Sequence, residues 1–231
     1  MKKTLITLVA MAGVAAADVS GDWEAIFTSS DASKDQTVDD YSAAFSSADS
    51  PLTLEFDSME ITGTAGGGYS AVAPGNKNTS AIRPGVNIIS GAGTYTLTFT
   101  VENTSSEFLK IEAITLNSFG YNNGGDAHNQ GGTPVAYYDL SYTLSGEAEA
   151  VTIRESANVY SDATVNFSLG SNSIDLGVDE SVTFSLKVSK KEGGGSFVGL
   201  SGATFKVVPE PATATLSLLA LCGLAARRRR H

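Results

Sequence analysis

The stretch Thr94-Tyr95-Thr96-Leu97-Thr98-Phe99-Thr100-Val101 alternates polar and apolar residues without a break. Successive side chains of a β-strand point to opposite faces, so a period of two predicts a strand with its Tyr, Leu, Phe and Val side chains in a core and its threonines toward water. β-Branched and aromatic residues are also good strand formers. The stretch therefore predicts a half-buried strand of an antiparallel sheet.

The same alternation recurs along the chain. Its apolar positions are Leu52, Leu54 and Phe56; Tyr138, Leu140, Tyr142 and Leu144; Val165, Phe167 and Leu169; Val182, Phe184, Leu186 and Val188; and Ala203, Phe205 and Val207. Glycine-rich turn sequences separate these stretches, and only Asp31 to Ser47 has room for a short helix. The pattern predicts an all-β fold, an antiparallel β-sandwich with a jelly-roll-like arrangement. A closed barrel or a β-helix is the alternative, although no internal repeat supports a solenoid.

The N-terminus has the three parts of a secretory signal peptide. Lys2 and Lys3 are basic, residues 4–14 are mostly apolar, and Ala15-Ala16-Ala17 supplies the small residues of an A-x-A cleavage site, with Ala15 and Ala17 at the recognised positions. The sequence therefore predicts that signal peptidase removes residues 1–17 and that the mature chain begins at Asp18.

The C-terminus carries a second targeting segment. Pro209-Glu210-Pro211 follows a strand-like stretch, and its two prolines cannot donate to a sheet, so the β domain is expected to span residues 18–208. Residues 212–226 have no charge, and Arg227, Arg228, Arg229 and Arg230 follow at once. A helix of this length covers about 22 Å, less than the roughly 30 Å hydrocarbon core, and arginine snorkelling with local thinning can close the gap. The positive-inside rule would keep the arginines in the cytoplasm and place the domain outside.

Residues 209–231, with Pro-Glu-Pro, an apolar helix and an arginine cluster in that order, resemble the PEP-CTERM sorting signal of Gram-negative bacteria. The resemblance implies recognition by an exosortase-type processing enzyme at the inner membrane, with which the tail associates transiently. It also implies cleavage near the tripeptide and a link to exopolysaccharide or biofilm matrix. Because it is confined to the tail, it implies nothing about the fold or ligand of residues 18–208.

The predicted domain is strongly acidic. Of the 15 Lys and Arg residues, two lie in the leader and four in the tail, so nine remain in residues 18–208 against 24 acidic residues, a net charge of −15. Such a charge repels phosphate backbones and anionic lipid, which argues against nucleic-acid binding and favours neutral glycans or cations as partners. Cys222 in the tail is the only cysteine, so the domain has no disulfide and no cysteine chemistry.

No catalytic motif stands out in the sequence. There is no G-x-S-x-G, H-E-x-x-H, P-loop or dinucleotide fingerprint, and His128 is the only histidine of the domain. A triad through His128 stays open, because triads are defined by geometry rather than by spacing. Two acid pairs at strand spacing, Glu55 with Asp57 and Glu147 with Glu149, are the candidates for a glycoside hydrolase.

The long polar segment from Gly120 to Thr133 is the strongest candidate for a functional loop. Its residues Tyr121, Asn122, Asn123, Asp126 and Asn129 combine an aromatic ring with amide and carboxylate oxygens, which suits a glycan or calcium. No cofactor motif is present, and calcium is the one cofactor that these ligands, or the acidic turn of Asp175, Asp179 and Glu180, would favour. The other candidate aromatic contacts are Trp23, Tyr41, Tyr137 and Tyr138, although Tyr138 also fits the core of a strand.

These observations together predict an exported, noncatalytic structural or adhesive protein of the cell surface or extracellular matrix, with glycan as a candidate ligand. The rival hypothesis from another class is a secreted glycan-active hydrolase on a β-sandwich. A third is self-association along the sheet edges. An exposed aromatic platform without an acid pair favours the first hypothesis, and two buried carboxylates across a cleft favour the second.

Overall fold

Alternating strands dominate the part of the chain that the structure describes. The computed structural model describes residues 19–29, 38–62, 94–121, 135–144, 151–158, 163–192 and 197–209. The strands are β1 (Gly21–Ser29), β2 (Tyr41–Phe45), β3 (Leu52–Thr62), β4 (Thr94–Asn103), β5 (Leu109–Tyr121), β6 (Val135–Leu144), β7 (Val151–Asn158), β8 (Ala163–Ser168), β9 (Ile174–Leu176), β10 (Ser181–Glu192) and β11 (Phe197–Pro209). Two single-turn 3-10 helices lie at Val38–Asp40 and Gly170–Asn172.

The strands form two antiparallel sheets. Sheet 1 has the order β2-β1-β11-β5-β8, with β9 also paired to β5, and sheet 2 has the order β3-β4-β10-β6-β7. The chain passes from one sheet to the other after β2, β4, β5, β7, β9 and β10. The all-β antiparallel sandwich predicted from the sequence is confirmed.

The core lies between the two sheets and is built from the alternating residues. In β4 the predicted inner set Tyr95, Leu97, Phe99 and Val101 is fully buried. The Phe99 ring stacks on Phe184 of β10 with centroids 5.2 Å apart, and Phe184 in turn contacts Phe205 of the opposite sheet at 6.2 Å. These rings join the two sheets through one aromatic cluster.

β-Bulges within β5, β11 and β3 change which side chains face the core. In β5 the pairing with β11 skips Glu112, so Leu109 and Ile111 are buried before the bulge and Ile114 and Leu116 after it. A residue inserted into one strand reverses the inward and outward positions that follow. The pairing also skips Ser201 in β11 and Asp57 in β3.

The sandwich has two ends that differ in what they carry. The exit end consists of residues 104–108, the turn 177–180 and Pro209, whose strand partner is Leu109. The far end consists of Tyr121, its partner Phe197, and Val135 in sheet 2. The segment 122–134, which holds most of the predicted functional loop, therefore joins two strands at the end opposite Pro209.

The range Asp31 to Ser47, which had room for a short α-helix, holds a strand in the part that the structure describes. Tyr41–Phe45 is a strand paired with β1, preceded by the 3-10 turn Val38–Asp40. Tyr41 is buried, and Ala43 and Phe45 pack against the core. The strand buries these alternate side chains, which favours it over a short helix. Within the described ranges, no helix is long and apolar enough to span a membrane, and the predicted apolar segment 212–226 lies outside those ranges.

Candidate functional site

The outer surface of sheet 2 is covered with hydroxyl groups. Because the inner positions of its three central strands are apolar, the alternate positions of β4, β10 and β6 point away from the core. We call these half-exposed residues the hydroxyl face: Thr96, Thr98, Thr100, Ser141, Thr143, Thr183 and Ser185. Strand register brings them side by side, so that Ser185 lies between Thr98 and Ser141 and Thr183 lies between Thr100 and Thr143.

Hydrogen bonds fix the direction of some of these hydroxyls. Thr100 Oγ1 donates to Asp57 Oδ2 at 2.8 Å and lies 3.0 Å from Thr183 Oγ1. Since the single Thr100 proton goes to Asp57, Thr183 is the donor in the second bond. This part of the face is therefore preorganised, with the hydroxyls linked to each other and to the edge strand β3.

An aromatic and charged corner borders the hydroxyl face toward the far end. Tyr137 and Asp139 lie two residues apart on β6, so both project from the outer face. Ser189 is the strand partner of Tyr137, and Lys187 is that of Asp139. Tyr137 and Asp139 are half-exposed and Lys187 is exposed. The corner thus offers a ring surface, a carboxylate and an ammonium group on neighbouring positions of β6 and β10, beside uncharged hydroxyls.

The structure places only part of the predicted loop. Tyr121 is the last residue of β5, and the backbone there pairs with Phe197. The candidates Asn122, Asn123, Asp126, His128 and Asn129 lie outside the described residues. The loop and the corner are close in the chain, since Tyr137 is the third residue of the strand that follows segment 122–134.

The termini fall largely outside the described residues as well. Pro209 is the final residue of β11. The rest of the predicted sorting signal, Glu210, Pro211 and Arg227 to Arg230, and the predicted cleavage residues Ala15 and Ala17 lie beyond the described ranges. The sorting predictions therefore stay predictions.

Three of the candidate aromatic contacts belong to the interior instead. Tyr41 and Tyr138 are buried in the core. Trp23 is half-buried and packs against the core, and its Nε1 donates to the carbonyl of Val19 at 3.1 Å. These residues were candidates because aromatic rings serve both cores and binding surfaces, and strand phase assigns them to the core. Among the predicted aromatics with described side chains, Tyr137 alone is on an outer face.

Tyr138 instead links the two sheets through a buried polar contact. Its hydroxyl lies 2.7 Å from Ser118 Oγ, and Ser118 Oγ donates to the Gly199 carbonyl at 3.1 Å, so Tyr138 is the donor to Ser118. Burial raises the pKa of the Tyr138 hydroxyl, and the hydrogen bond with Ser118 opposes that rise only in part. The group stays protonated and serves the core, not catalysis.

The acid pair Glu55 and Asp57 lies on the exposed surface of the sandwich and not in a buried cleft. Both residues are exposed, on the edge strand β3, and Asp57 sits in the bulge and accepts from Thr100. Among the side chains that the structure describes, the buried polar ones are those of Asn103 and Ser118, and none of the described carboxylates is buried. The second candidate pair, Glu147 and Glu149, lies outside the described residues.

The acidic side chains of the turn proposed for calcium form an ion pair and a turn hydrogen bond. Asp175 forms an ion pair with Lys110 at 3.2 Å, and Glu180 Oε2 accepts from the Gly177 amide at 2.8 Å. Asp179 has a φ of 58°, the left-handed conformation that Asp tolerates in turns. No group of three or more metal-ligating side chains occurs among the described residues. These acids are explained by turn formation and charge pairing.

Asn103 closes the exit end, a role the sequence did not reveal. Its buried Nδ2 lies within hydrogen-bonding distance of three carbonyl oxygens, those of Glu107 at 2.7 Å, Gly177 at 2.9 Å and Leu176 at 3.1 Å. Its Oδ1 accepts from the amide and the hydroxyl of Ser105. The only sequence pattern at this position is the N-x-[ST] sequon of Asn103-Thr104-Ser105, and the burial of Asn103 prevents its modification in the folded state.

No family model matches the sequence, and the comparison with curated proteins finds no match. Among solved structures, the chain is similar to the carbohydrate-binding module TmCBM61, solved in complex with β-1,4-galactotriose. That match has 9% sequence identity and a TM-score of 0.34, and covers 70% of this chain and 90% of that chain. The chain is also similar to the enzymatically active domain of tailspike protein 4 of bacteriophage CBA120, with 13% identity and a TM-score of 0.26, covering 69% of this chain and 19% of that chain. Likeness at these scores assigns neither a family nor a ligand.

Proposed function

We propose that this protein is an exported, noncatalytic surface or matrix protein whose β-sandwich binds a neutral glycan on the hydroxyl face of sheet 2. The observation that carries the proposal is the position of Tyr137, Asp139 and Lys187 beside the rows of Thr and Ser. Glycans present hydroxyl groups that donate and accept, and the Thr and Ser hydroxyls can do both. A ring surface with a few convergent polar groups is the usual composition of a ligand site.

The charge distribution favours a neutral ligand over an anionic one. The hydroxyl face itself carries no charged side chain, and Lys187 stands opposite Asp139 in the strand register. The domain as a whole has a net charge of −15, counted over residues 18–208. Phosphorylated or heavily carboxylated polymers would be repelled by this field, which acts over about 10 Å at 0.1 M salt.

The proposal includes sorting through the two termini. Signal peptidase removes residues 1–17, and an exosortase-type enzyme processes the tail at Pro209-Glu210-Pro211, while residues 212–226 hold it in the inner membrane. The support is the order of the leader, the tripeptide, the apolar run and the arginines in the sequence. Mass spectrometry of the protein from fractionated cells tests this part: the mature chain should begin at Asp18 and be found in the envelope or medium. Retention of residues 1–17 on a cytosolic protein would contradict it.

A glycan array tests the binding part of the proposal. The purified chain should bind one or more neutral oligosaccharides, and Tyr137→Ala should reduce the signal at least fivefold by removing the ring surface. Running the array with calcium and with a chelator separates a direct glycan site from a calcium-dependent one. Release of shorter sugars from the bound glycans would favour the hydrolase hypothesis over ours.

A further inference from the structure

Two exposed hydrophobic side chains lie together at the exit end. Among the described residues, the large hydrophobic side chains that are exposed are Ile26, Phe108 and Val178, and Phe108 is the most exposed, at 60%. Ile26 lies alone on the outer face of sheet 1, whereas Phe108 directly precedes β5 and Val178 directly follows Gly177. Phe108 and Val178 therefore form an apolar tip on one end of the sandwich.

Strand pairing and the Asn103 amide hold the backbone of the apolar tip in place. Leu109 and Leu176 are strand partners, which brings the residues beside them together. The Asn103 amide then contacts both the Glu107 and the Gly177 carbonyls, the residues that immediately precede Phe108 and Val178. One buried side chain thus fixes both segments, so the two apolar residues are presented by ordered backbone.

The apolar tip lies beside the point where the chain leaves the sandwich. Pro209, the last residue of β11, is the strand partner of Leu109, and Leu109 follows Phe108. The apolar segment of the tail begins at Ala212, three residues after Pro209. Three extended residues span at most about 11 Å, so insertion of that segment would hold the exit end close to the bilayer surface.

We propose that Phe108 and Val178 insert into the membrane interface while the tail is anchored, an inference that rests on the proposed sorting function. The contact would orient the sandwich and hold Pro209-Glu210-Pro211 at a fixed height above the bilayer, where a membrane-bound processing enzyme can reach it. Apolar side chains at the end of a domain contribute binding free energy when they enter the boundary between headgroups and acyl chains, because their apolar area is removed from water there.

The charges around the tip select the kind of membrane. Glu107 is half-exposed, and Asp179 and Glu180 are exposed beside Val178. Carboxylates held near an anionic surface are repelled by it, so the tip should prefer a zwitterionic surface. We therefore expect stronger contact with phosphatidylcholine than with a mixture containing anionic phosphatidylglycerol.

Tryptophan quenching tests the contact. The full chain carrying Phe108→Trp is reconstituted into phosphatidylcholine vesicles with brominated acyl chains, and Ile26→Trp, an exposed position on sheet 1, is the matched control. Trp23 is a common background in both. The fluorescence gained at position 108 should fall at least twofold on bromination, and that at position 26 should not change. Val178→Trp is a second reporter with the same expectation, and phosphatidylglycerol should weaken both effects.

Trypsin added outside the vesicles separates this inference from the sorting proposal. Protection of Arg227 to Arg230 shows that the tail has inserted. If the arginines are protected and Phe108→Trp is quenched no more than Ile26→Trp, the tip does not contact the membrane and the inference fails alone. If the arginines are cleaved, both proposals fail. An unquenched tip whose Phe108→Ser variant still slows tail processing in cells would identify a protein contact and overturn the membrane contact.

Discussion

Replacing Asn103 should destabilise the sandwich more than its single polar side chain suggests. Its amide group carries two N–H bonds and faces three buried or half-buried carbonyls, so two bonds are made fully and a third is shared. Asn103→Ala removes this donor from all three carbonyls, and those of Glu107 and Gly177 keep another, Ser105 Oγ and the Glu180 amide respectively. It also unties residues 104–108 from the turn at 177–180, since no other side chain bridges them in the described part of the chain.

The magnitude follows from the hydrogen bonds that are lost. A buried acceptor that loses its partner costs about 1–3 kcal/mol, and the second donors to Glu107 and Gly177 lower the total, so Asn103→Ala should lose about 2–4 kcal/mol of unfolding free energy. Asn103→Asp has the same shape but turns a carboxyl oxygen toward the carbonyls. Its folded-state pKa should therefore rise above the usual value of about 3.9. A raised pKa means that the variant is most stable below about pH 4 and loses stability as the pH rises toward neutrality.

Urea denaturation followed by circular dichroism at pH 4 and pH 7 measures both effects. The matched control is Asn166→Ala, because Asn166 is an exposed amide whose Oδ1 accepts one bond, from Thr115 at 2.8 Å. That change should cost less than about 1 kcal/mol. An Asn103→Ala variant as stable as the control, or an Asn103→Asp variant indifferent to pH, would refute the role we assign to Asn103.

Two further substitutions test the packing of the core. Tyr138→Phe should cost about 1 kcal/mol of unfolding free energy at pH 7 through the lost bond to Ser118. Because burial raises the pKa of Tyr138 above its usual value of 10.0, the native protein should lose stability as the pH rises past 10.0. Alkaline unfolding curves should show no such loss for the variant. Gly202→Ala would place a Cβ 2.6 Å from the backbone oxygen of Ala25, which cannot rotate away. Thermal unfolding should show a loss of about 1–3 kcal/mol, and an unchanged melting temperature would mean that β1 and β11 shift apart freely.

The sequence predicted the strands whose alternation is unbroken. In residues 94–101 of β4 and 181–188 of β10 every second residue is apolar, and the buried set there matches the prediction residue by residue. β5 was missed because its bulge at Glu112 reverses the pattern midway, so neither half is long enough to stand out. β1 was missed because Ala25 contributes little hydrophobic signal although it is fully buried.

The candidate site was less predictable than the fold. The outward direction of the β4 threonines followed from alternation. The hydroxyls beside them on β10 and β6 are set by strand register between residues far apart in the sequence, such as Thr100 with Thr183 and Ser185 with Ser141. The pairing of Lys187 with Asp139 is such a contact. Register between distant strands is determined by the whole sandwich, so no local pattern in the sequence reveals it.

A titration of the purified protein with the neutral oligosaccharide that binds best on the array tests the proposed glycan site most directly. Ser185 is at the centre of the hydroxyl face, and Ser185→Gln fills it without adding charge; Thr204→Gln makes a matching change on a central strand of sheet 1, where Thr204 is also half-exposed. We predict that Ser185→Gln weakens binding at least tenfold and that Thr204→Gln leaves it within twofold of the unmodified protein. Equal affinity for all three proteins would contradict a glycan site on the hydroxyl face.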